Sequence, residues 1–353
     1  MSDDFEPACR RMEWLDPFYK QVWEKAFAEG IPISGTFELT PRCNFNCKMC
    51  YVHLQPEEIP QNGVELTAKE WLRIAKEAKA AGTTWGCVTG GEPLLHPEFP
   101  EIWQSLTEMG FFLTLQTNAS LVRGKMLDLL ERCPPRQAKV TLYGSDDDVY
   151  QAVCGVEQGF TRVNEGIHNL MSVGIPVTLV STIIRQNQHD VERMAFYAYR
   201  HRLSTIGVKP SLRGASTDAL SVAVTEKLEE QAQKNAEARL REGRFLDPNR
   251  KPATYCKDYR LGYWVVWNGM MRFCSFMNEP NIPVRDLPFK EAWSQLLAFE
   301  EALDWPEECK TCQAAKVCQR CAASVATEKG KGNSVSLKKC KRIQQIYPQK
   351  KGD

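Results

Sequence analysis

Between residues 34 and 209, short β-branched runs alternate with amphipathic segments, and this alternation limits the possible folds more than any other feature. The predicted strands are Ser34–Leu39, Thr84–Thr89, Phe111–Leu115, Lys139–Tyr143, Val177–Ile183 and Thr205–Lys209. A segment with helical periodicity follows each of the first five strands, and such alternation is typical of parallel α/β sheets. The pattern therefore predicts an α/β fold, a partial (β/α)6 TIM-like barrel.

The C-terminal third has a different pattern, which predicts a separate small domain. A long polar helix over Thr225–Glu242 is followed by a stretch rich in Gly, Pro and Arg at 243–252, where we place the boundary. Beyond it, Asn268-Gly269 lies between two apolar runs and predicts a β-hairpin with a type I′ turn, which needs φ > 0 at both central residues. The predicted parts are an N-terminal helical segment (1–30), the barrel (31–242) and a cysteine-rich C-terminal domain (243–353).

Charge and hydropathy predict no large polyanionic partner. Lysine and arginine (45) nearly balance aspartate and glutamate (44), so neither nucleic acid nor a membrane surface is an expected partner. The first residues are acidic and lack the apolar core of an export signal, and no run of about eighteen apolar residues suggests a membrane span. We therefore expect a cytoplasmic protein.

Ten of the fourteen cysteines fall into two groups, in a large chain without an export signal. This distribution favours metal binding over a disulfide framework. The first group is Cys43, Cys47 and Cys50, and the second is Cys256, Cys274, Cys309, Cys312, Cys318, Cys321 and Cys340.

The first group directly follows the first predicted strand, at the edge where α/β folds bind their ligands. Three thiolates can hold three irons of a [4Fe–4S] cluster and leave the fourth iron to an external ligand. An open iron indicates chemistry rather than electron storage. The alternatives are a zinc site or a structural cluster completed by a distant cysteine.

The CxxxCxxC spacing of this group, with Gly90-Gly91-Glu92-Pro93 after the second strand, resembles the radical S-adenosylmethionine (SAM) superfamily. The resemblance implies that SAM binds the open iron and is cleaved reductively to a 5′-deoxyadenosyl radical, which abstracts hydrogen from a substrate. It also implies that the glycines make room for the methionine of SAM and that Glu92 accepts from its ammonium group. The adenine contact falls to Met49 or Tyr51, and the remaining implied SAM contacts are Gly90, Gly91, Pro93, Thr117, Asn118 and Thr141.

The second group resembles the SPASM extension of some radical SAM enzymes, with one residue fewer between Cys318 and Cys321. The resemblance implies two auxiliary [4Fe–4S] clusters and hence three in all: an outer one on Cys309, Cys312, Cys318 and Cys340, and an inner one on Cys256, Cys274 and Cys321. The inner cluster has three thiolates, so either Asp258 completes it or one iron stays open. Taken alone, Cys309, Cys312, Cys318 and Cys321 also suit a zinc site.

The family implies oxidative modification, such as cross-linking, of a peptide or protein, with flavodoxin or ferredoxin as the reductant. The segment before the first strand is too short for a leader-binding domain, so either a separate leader-binding protein or the barrel mouth itself is expected to recognise the peptide. Alternatives are formylglycine formation in a sulfatase, dehydrogenation or epimerisation of a small molecule such as an aminosugar, and non-catalytic electron transfer. The catalytic residues are unknown, and Cys87 and Cys154 are the candidate hydrogen donors, each with an alternative role in the core.

Overall fold

The computed structural model of the chain describes residues 17–208, 224–277, 279–318, 321–323 and 335–347, and a nine-stranded sheet is its central element. The strands are β1 (Ser34–Glu38), β2 (Trp85–Thr89), β3 (Phe112–Thr117), β4 (Gln137–Thr141), β5 (Val177–Thr182), β6 (Ser204–Val208), β7 (Gly262–Val265), β8 (Met270–Arg272) and β9 (Ile282–Pro283). The six predicted barrel strands are confirmed, although the predicted end of the sixth, Lys209, lies outside the described residues.

Strands β1 to β6 lie side by side in chain order, and every neighbouring pair is parallel. A doubly wound sheet would reverse its strand order at a switch point, whereas a barrel keeps one direction. The fold is therefore the predicted partial (β/α)6 barrel.

Ten helices of two turns or more accompany the sheet in the described ranges. They are α1 (Pro17–Glu29), α2 (Ala68–Ala80), α3 (Phe99–Glu108), α4 (Lys125–Arg132), α5 (Asp147–Cys154), α6 (Gly159–Ser172), α7 (Val191–Arg200), α8 (Thr225–Glu242), α9 (Phe289–Ala302) and α10 (Val335–Ile346). None of these helices is long and apolar enough to cross a bilayer. Two helices, α5 and α6, lie between β4 and β5, where the sequence pattern predicted a single helix over Phe160–Val173.

The main core lies between the barrel strands and the outer helices. Phe37 of β1 is 1% exposed and meets Trp71 of α2 edge-on, with ring centroids 6.0 Å apart. Because side chains alternate along a strand, Thr36 and Glu38 point to the opposite face, the barrel interior. Cys87, which pairs in register with Thr36, lies on the same interior face.

The C-terminal segment continues the barrel sheet. Strand β7 pairs in parallel with β1, with Ser34 opposite Gly262, and β8 and β9 follow as antiparallel strands. Trp264 of β7 donates its indole N–H to the buried Glu38 carboxylate at 2.9 Å. The domain boundaries themselves stay a prediction, but a shared sheet fixes this part of the C-terminal segment on the barrel.

The predicted hairpin is present, but its turn differs from the predicted type I′. Val266 N–H bonds to Met270 O at 2.9 Å, and Gly269 N–H bonds back to Val266 O at 2.8 Å. Within this turn only Gly269 has a positive φ, +83°. A longer turn forms because Trp267 is buried in a small apolar cluster and the Asn268 amide donates to Asn62 O.

Candidate active site

The loop after β1 carries the first cysteine group at the carboxyl edge of the barrel. The Cys50 N–H bonds to Cys47 O at 2.9 Å, and the Phe45 N–H approaches the Cys43 sulfur at 3.4 Å. The three thiols are partly buried, and burial together with the nearby Cys47 raises the pKa of Cys50 to about 11. Ligation requires thiolates, so binding of a metal group must displace these protons.

Gly90 and Gly91 let the end of β2 approach the backbone of this loop. The Gly91 N–H bonds to Thr40 O at 2.7 Å, and a Cβ at Gly91 would lie 2.4 Å from Arg42 O. A Cβ at Gly90 would lie 2.8 Å from Thr40 O. Neither glycine has a positive φ. Both glycines are thus in close contact with the backbone of the chain itself, and their role in making room for the methionine of SAM stays a prediction.

Glu92 is completely buried and links β2 to the end of β3. Its carboxylate accepts from the Thr117 hydroxyl at 2.7 Å, from Asn118 N–H at 2.8 Å and from Leu94 N–H at 3.2 Å. Burial raises the pKa of Glu92 to about 7, and the three donors partly offset the shift. The expected contact with the SAM ammonium stays a prediction, since these protein groups are its observed partners.

A side-chain network extends from Asn118 to the cysteine loop. The Asn118 amide donates to Asn44 Oδ1 at 2.9 Å and lies 4.0 Å from the Cys43 sulfur. Ser120 closes the network by donating to Asn118 Oδ1 at 2.6 Å and accepting from the Asn44 amide at 2.8 Å. Of the predicted SAM-site positions, Asn118 approaches the first cysteine directly, and Glu92 and Thr117 connect to it through the Glu92 carboxylate.

The other predicted contacts have different surroundings. Met49 is buried in the main core, whereas Tyr51 is partly exposed and meets Phe276 of the C-terminal segment edge-on, at 5.7 Å between ring centroids. Of the two candidates for adenine, Tyr51 is the more accessible. Pro93 is buried in a short 3₁₀ turn, and Thr141 ends β4 partly buried.

Helix α5 carries the second candidate donor, Cys154, which lies behind the cysteine loop. Cys154 O accepts from Asn46 N–H at 2.9 Å, and Val153 O accepts from Lys48 N–H at 3.0 Å. The Cys154 side chain is completely buried, and its interaction with Cys47, together with burial, raises the pKa of the Cys47 thiol. No signal in the sequence alone indicated that α5 lies against this loop.

Two sequence signals could have revealed this helix and its neighbourhood. Asp146 caps α5 by accepting from Val149 N–H, and Gly155 ends it with φ +65°. Asp followed by apolar residues at helical spacing and a final Gly is a recognisable pattern. Tyr143, whose pKa is raised by burial and then by the Cys47 and Cys154 thiols, follows a barrel strand, where site residues concentrate.

The second cysteine group divides between two apolar clusters. Cys256, Cys274 and Cys321 pack against the main core. Cys312 and Cys318 belong to a second, smaller core between α8 and α10, where the Gln344 amide approaches the Cys312 sulfur at 3.8 Å. This division parallels the inner and outer sets implied by the family, and the ligand assignment stays a prediction.

Asp258 is adjacent to the inner set. Burial and then the Asp258 carboxylate raise the pKa of Cys256, and the Asp258 backbone N–H partly offsets the shift. Asp258 also packs against Gly262. A Cβ added at Gly262 would lie 3.0 Å from the Asp258 Cβ. The carboxylate is thus near the inner cysteines, which leaves it a candidate fourth ligand.

The side chains of both cysteine groups are of the right chemical type for iron–sulfur clusters, because such clusters are bound by thiolates. In the described ranges no three His, Cys, Asp or Glu side chains are close enough to hold a single metal ion. Thiolates on a cluster each bind a different iron, and so lie farther apart than ligands of one ion.

Residues 37–198, from β1 into α7, match the family model for the radical SAM superfamily. The chain thus contains a radical SAM domain, which spans a little less than half of its length. It is a radical SAM enzyme whose cofactors are SAM and a [4Fe–4S] cluster. The matched segment contains the cysteine loop, the Gly90–Pro93 motif and α5.

Curated relatives extend the similarity beyond the barrel. The PqqA peptide cyclase of Ruegeria pomeroyi is 27% identical over 306 residues, which cover 80% of this chain and 79% of that protein. The AdoMet-dependent heme synthase of Methanosarcina barkeri is 24% identical over 320 residues, covering 81% of this chain and 90% of that protein. Matches to two other PqqA peptide cyclases, from Rhodopseudomonas palustris and Granulibacter bethesdensis, cover 48% and 43% of those proteins.

Solved structures share the fold. Streptococcus suis SuiB bound to its precursor peptide SuiA has a TM-score of 0.65 at 16% identity, covering 86% of this chain and 76% of SuiB. SuiB bound to SAM has a TM-score of 0.61 at 14% identity, with the same coverage. At these identities the similarity concerns the fold alone.

Proposed function

We propose that this enzyme oxidatively modifies a peptide or protein, by hydrogen abstraction followed by cross-linking or a related bond change. The observation that carries the proposal is the similarity to a PqqA peptide cyclase over 306 residues, which cover 79% of that protein. The fold shared with SuiB, whose structure contains its precursor peptide, supports the same substrate class.

The residues of the cysteine loop have defined roles in this proposal. Cys43, Cys47 and Cys50 hold the cluster, and the contacts of Gly91 and Glu92 fix this loop against β2 and β3. With SAM, a cluster at this position supplies the reductive cleavage that starts hydrogen abstraction.

The barrel interior is the proposed place of the substrate. Its face is polar near the cysteine loop, with Thr36, Glu38 and Cys87 on adjacent strands. Cys87 stays the candidate hydrogen donor because it lies on this face. Cys154 suits that role poorly, since its side chain is completely buried behind the loop.

The C-terminal cysteines are proposed to hold two further [4Fe–4S] clusters, the inner one accepting the substrate electron. The contact of Tyr51 with Phe276, two residues after Cys274, brings the inner cysteines close to the cysteine loop. A flavodoxin or ferredoxin is the proposed reductant, and a separate leader-binding protein the proposed carrier of the peptide. Cytoplasm is the proposed location, because reducing conditions keep thiols available as ligands.

The test uses the anaerobically reconstituted full chain with dithionite and SAM. We expect 5′-deoxyadenosine to form, and a short peptide encoded beside the gene to lose two hydrogens in mass spectrometry. The variant with Cys43, Cys47 and Cys50 all changed to alanine serves as the control. Deoxyadenosine formation in that variant, or an unmodified peptide with active enzyme and carrier present, would contradict the proposal.

Action on a small molecule is the second candidate, because the heme synthase relative is covered over 90% of its length. Deoxyadenosine formation stimulated by a porphyrin or an aminosugar, and not by any peptide, would favour it. Formylglycine formation in a sulfatase stays an alternative prediction. Non-catalytic electron transfer is set aside, because the chain is a radical SAM enzyme.

A further inference from the structure

Lys139 lies in the middle of β4, and its side chain points into the barrel interior. The residues on either side, Ala138 and Val140, are completely buried in the main core between the strands and the outer helices. Side chains alternate along a strand, so Lys139 faces the opposite way. Its neighbours in register are Gln116 of β3 and Thr178 of β5, which therefore face the interior as well. A charged side chain is thus turned inward at a half-buried position.

The side chains around Lys139 form a polar band across the interior face of the sheet. Glu38 pairs in register with Thr89, and Thr178 pairs with Ser204, whose hydroxyl group lies 2.8 Å from the Thr178 hydroxyl. Each of the six barrel strands contributes one polar side chain to this band: Glu38, Thr89, Gln116, Lys139, Thr178 and Ser204. Packed barrel interiors are filled by branched apolar side chains instead. The polar band therefore suits a polar ligand better than it suits a core.

The polar band contains two charged side chains, which lie on facing walls of the barrel. Glu38 and Lys139 are three strands apart, on β1 and β4. The Trp264 indole N–H, from β7 on the other side of β1, donates to the Glu38 carboxylate at 2.9 Å. A lysine is rarely buried without an anion, because its charge loses its solvation by water. Lys139 thus provides a cationic wall for an anionic group that enters the interior.

The depth of Lys139 separates it from the predicted SAM contacts. Thr141, one of those contacts, is the last residue of β4, at the edge that carries the cysteine loop. Lys139 lies two residues farther from that edge, which is about 6.6 Å along a strand. The polar band is therefore in the part of the interior that we propose for the substrate.

We propose that Lys139 determines substrate specificity, and that its ammonium group binds the side-chain carboxylate of an aspartate or glutamate in the peptide substrate. The inference rests on the proposed function and narrows its substrate class to acidic peptides. A hydrogen bond between two charged groups is about twice as strong as a neutral one, and the attraction gains further strength where water is excluded. The contact therefore favours aspartate over asparagine, or glutamate over glutamine, at one position of the peptide.

A purely structural role for Lys139 predicts different behaviour. If the ammonium group only balances the charge of Glu38, replacing Lys139 lowers the stability of the fold and affects acidic and amide peptides equally. If the ammonium group binds a substrate carboxylate, its removal raises KM for the acidic peptide alone. In that case kcat stays nearly unchanged, because the contact is the same in the bound substrate and in the transition state.

The experiment uses the full-length, anaerobically reconstituted enzyme and the short peptide encoded beside its gene. Each aspartate or glutamate of the peptide is changed in turn to its amide, and KM and kcat are measured for wild type, Lys139→Met and Lys139→Arg. Methionine keeps the apolar stem without the charge, and arginine restores the charge. Lys139→Gln is a second neutral variant, in case Lys139→Met does not fold. Lys76→Met, at an exposed position of α2, is the control, and calorimetry gives the SAM affinity of each protein.

For wild type, we expect one acid-to-amide change in the peptide to raise KM roughly tenfold to hundredfold. Lys139→Met should raise KM for the unaltered peptide by a similar factor and should then be insensitive to that change, to within about twofold. Lys139→Arg and Lys76→Met should retain the preference for the acidic peptide.

The inference is overturned by a peptide that is modified with the same KM whichever of its acidic residues is replaced, or that contains none. It is also overturned if the neutral variants at Lys139 keep the wild-type preference. A loss of SAM affinity as large as the loss of peptide affinity would assign the carboxylate to SAM and overturn it as well. A peptide that wild type neither binds nor modifies, although the enzyme cleaves SAM, overturns the proposed function itself and the substrate class with it.

Discussion

At the residue scale, Gly91 is constrained by the backbone of the cysteine loop, and this predicts the effect of an added methyl group. Gly91→Ala would place a Cβ 2.4 Å from Arg42 O and displace the loop. We expect a loss of about 1–3 kcal/mol in unfolding free energy, with weaker SAM binding in calorimetry. Gly207→Ala is the matched control, since no atom lies within 4 Å of a Cβ there. Equal stability in the two variants would rule out the backbone contact as the cause.

Glu92 gives a second residue-scale prediction, because its observed partners are protein groups. Glu92→Gln replaces one acceptor oxygen by an NH₂ group. In one orientation this NH₂ group faces the Leu94 N–H and the Thr117 hydroxyl, and in the other it faces the Asn118 N–H. An unpaired buried donor costs about 1–3 kcal/mol, so we expect lower stability in urea even without SAM. A role confined to SAM binding predicts unchanged stability of the ligand-free variant and a loss of SAM affinity alone.

At the scale of elements, α9 carries a buried carboxyl group that should make stability depend on pH. Glu300 accepts from Arg260 N–H at 2.9 Å, its other oxygen has no hydrogen-bond partner among the described residues, and burial raises its pKa to about 8. The pKa of Glu300 is raised from 4.5 in the unfolded chain to about 8 in the folded protein. The contribution of Glu300 to the free energy of unfolding is therefore complete below about pH 4.5 and is lost as the pH rises to about 8.

Glu300→Gln removes this titration. Relative to wild type, we expect the variant to gain stability steadily between pH 5 and 8, by ~3–5 kcal/mol over the whole range. Glu291→Gln, on an exposed position of the same helix, should show no such trend. Urea unfolding of the two variants and wild type at several pH values measures the effect, and a pH-independent difference for Glu300→Gln would contradict it.

At the scale of the whole molecule, the barrel and the C-terminal segment share one sheet but are predicted to bind their clusters independently. The pairing of β7 with β1 involves residues before the cysteine loop, from Ser34 to Phe37. Replacing Cys43, Cys47 and Cys50 by alanine should therefore leave this pairing intact. We expect iron to fall from about twelve to about eight per chain, with no SAM cleavage. Iron analysis after reconstitution tests this, with Cys133→Ala as control. Loss of all iron would show that the clusters depend on one another, and a zinc-dominated analysis would contradict the cluster assignment.

The sequence by itself determined the elements whose signal is local. The barrel strands agree with their predicted positions to within about two residues, and helix Thr225–Glu242 agrees at both ends, because periodicity and caps depend on neighbouring residues. The motif spacing likewise indicated the family and the edge of the barrel that carries the first cysteines.

Only the tertiary structure decided which groups meet. Gly91 lies against Arg42 O, β7 extends the sheet beyond β1, and Cys154 O accepts from Asn46 N–H across more than a hundred residues. Each of these contacts joins distant parts of the chain through close packing, and no local propensity or spacing encodes such a distance. The sequence therefore identified the chemistry of the site, and long-range packing determined how its residues are held.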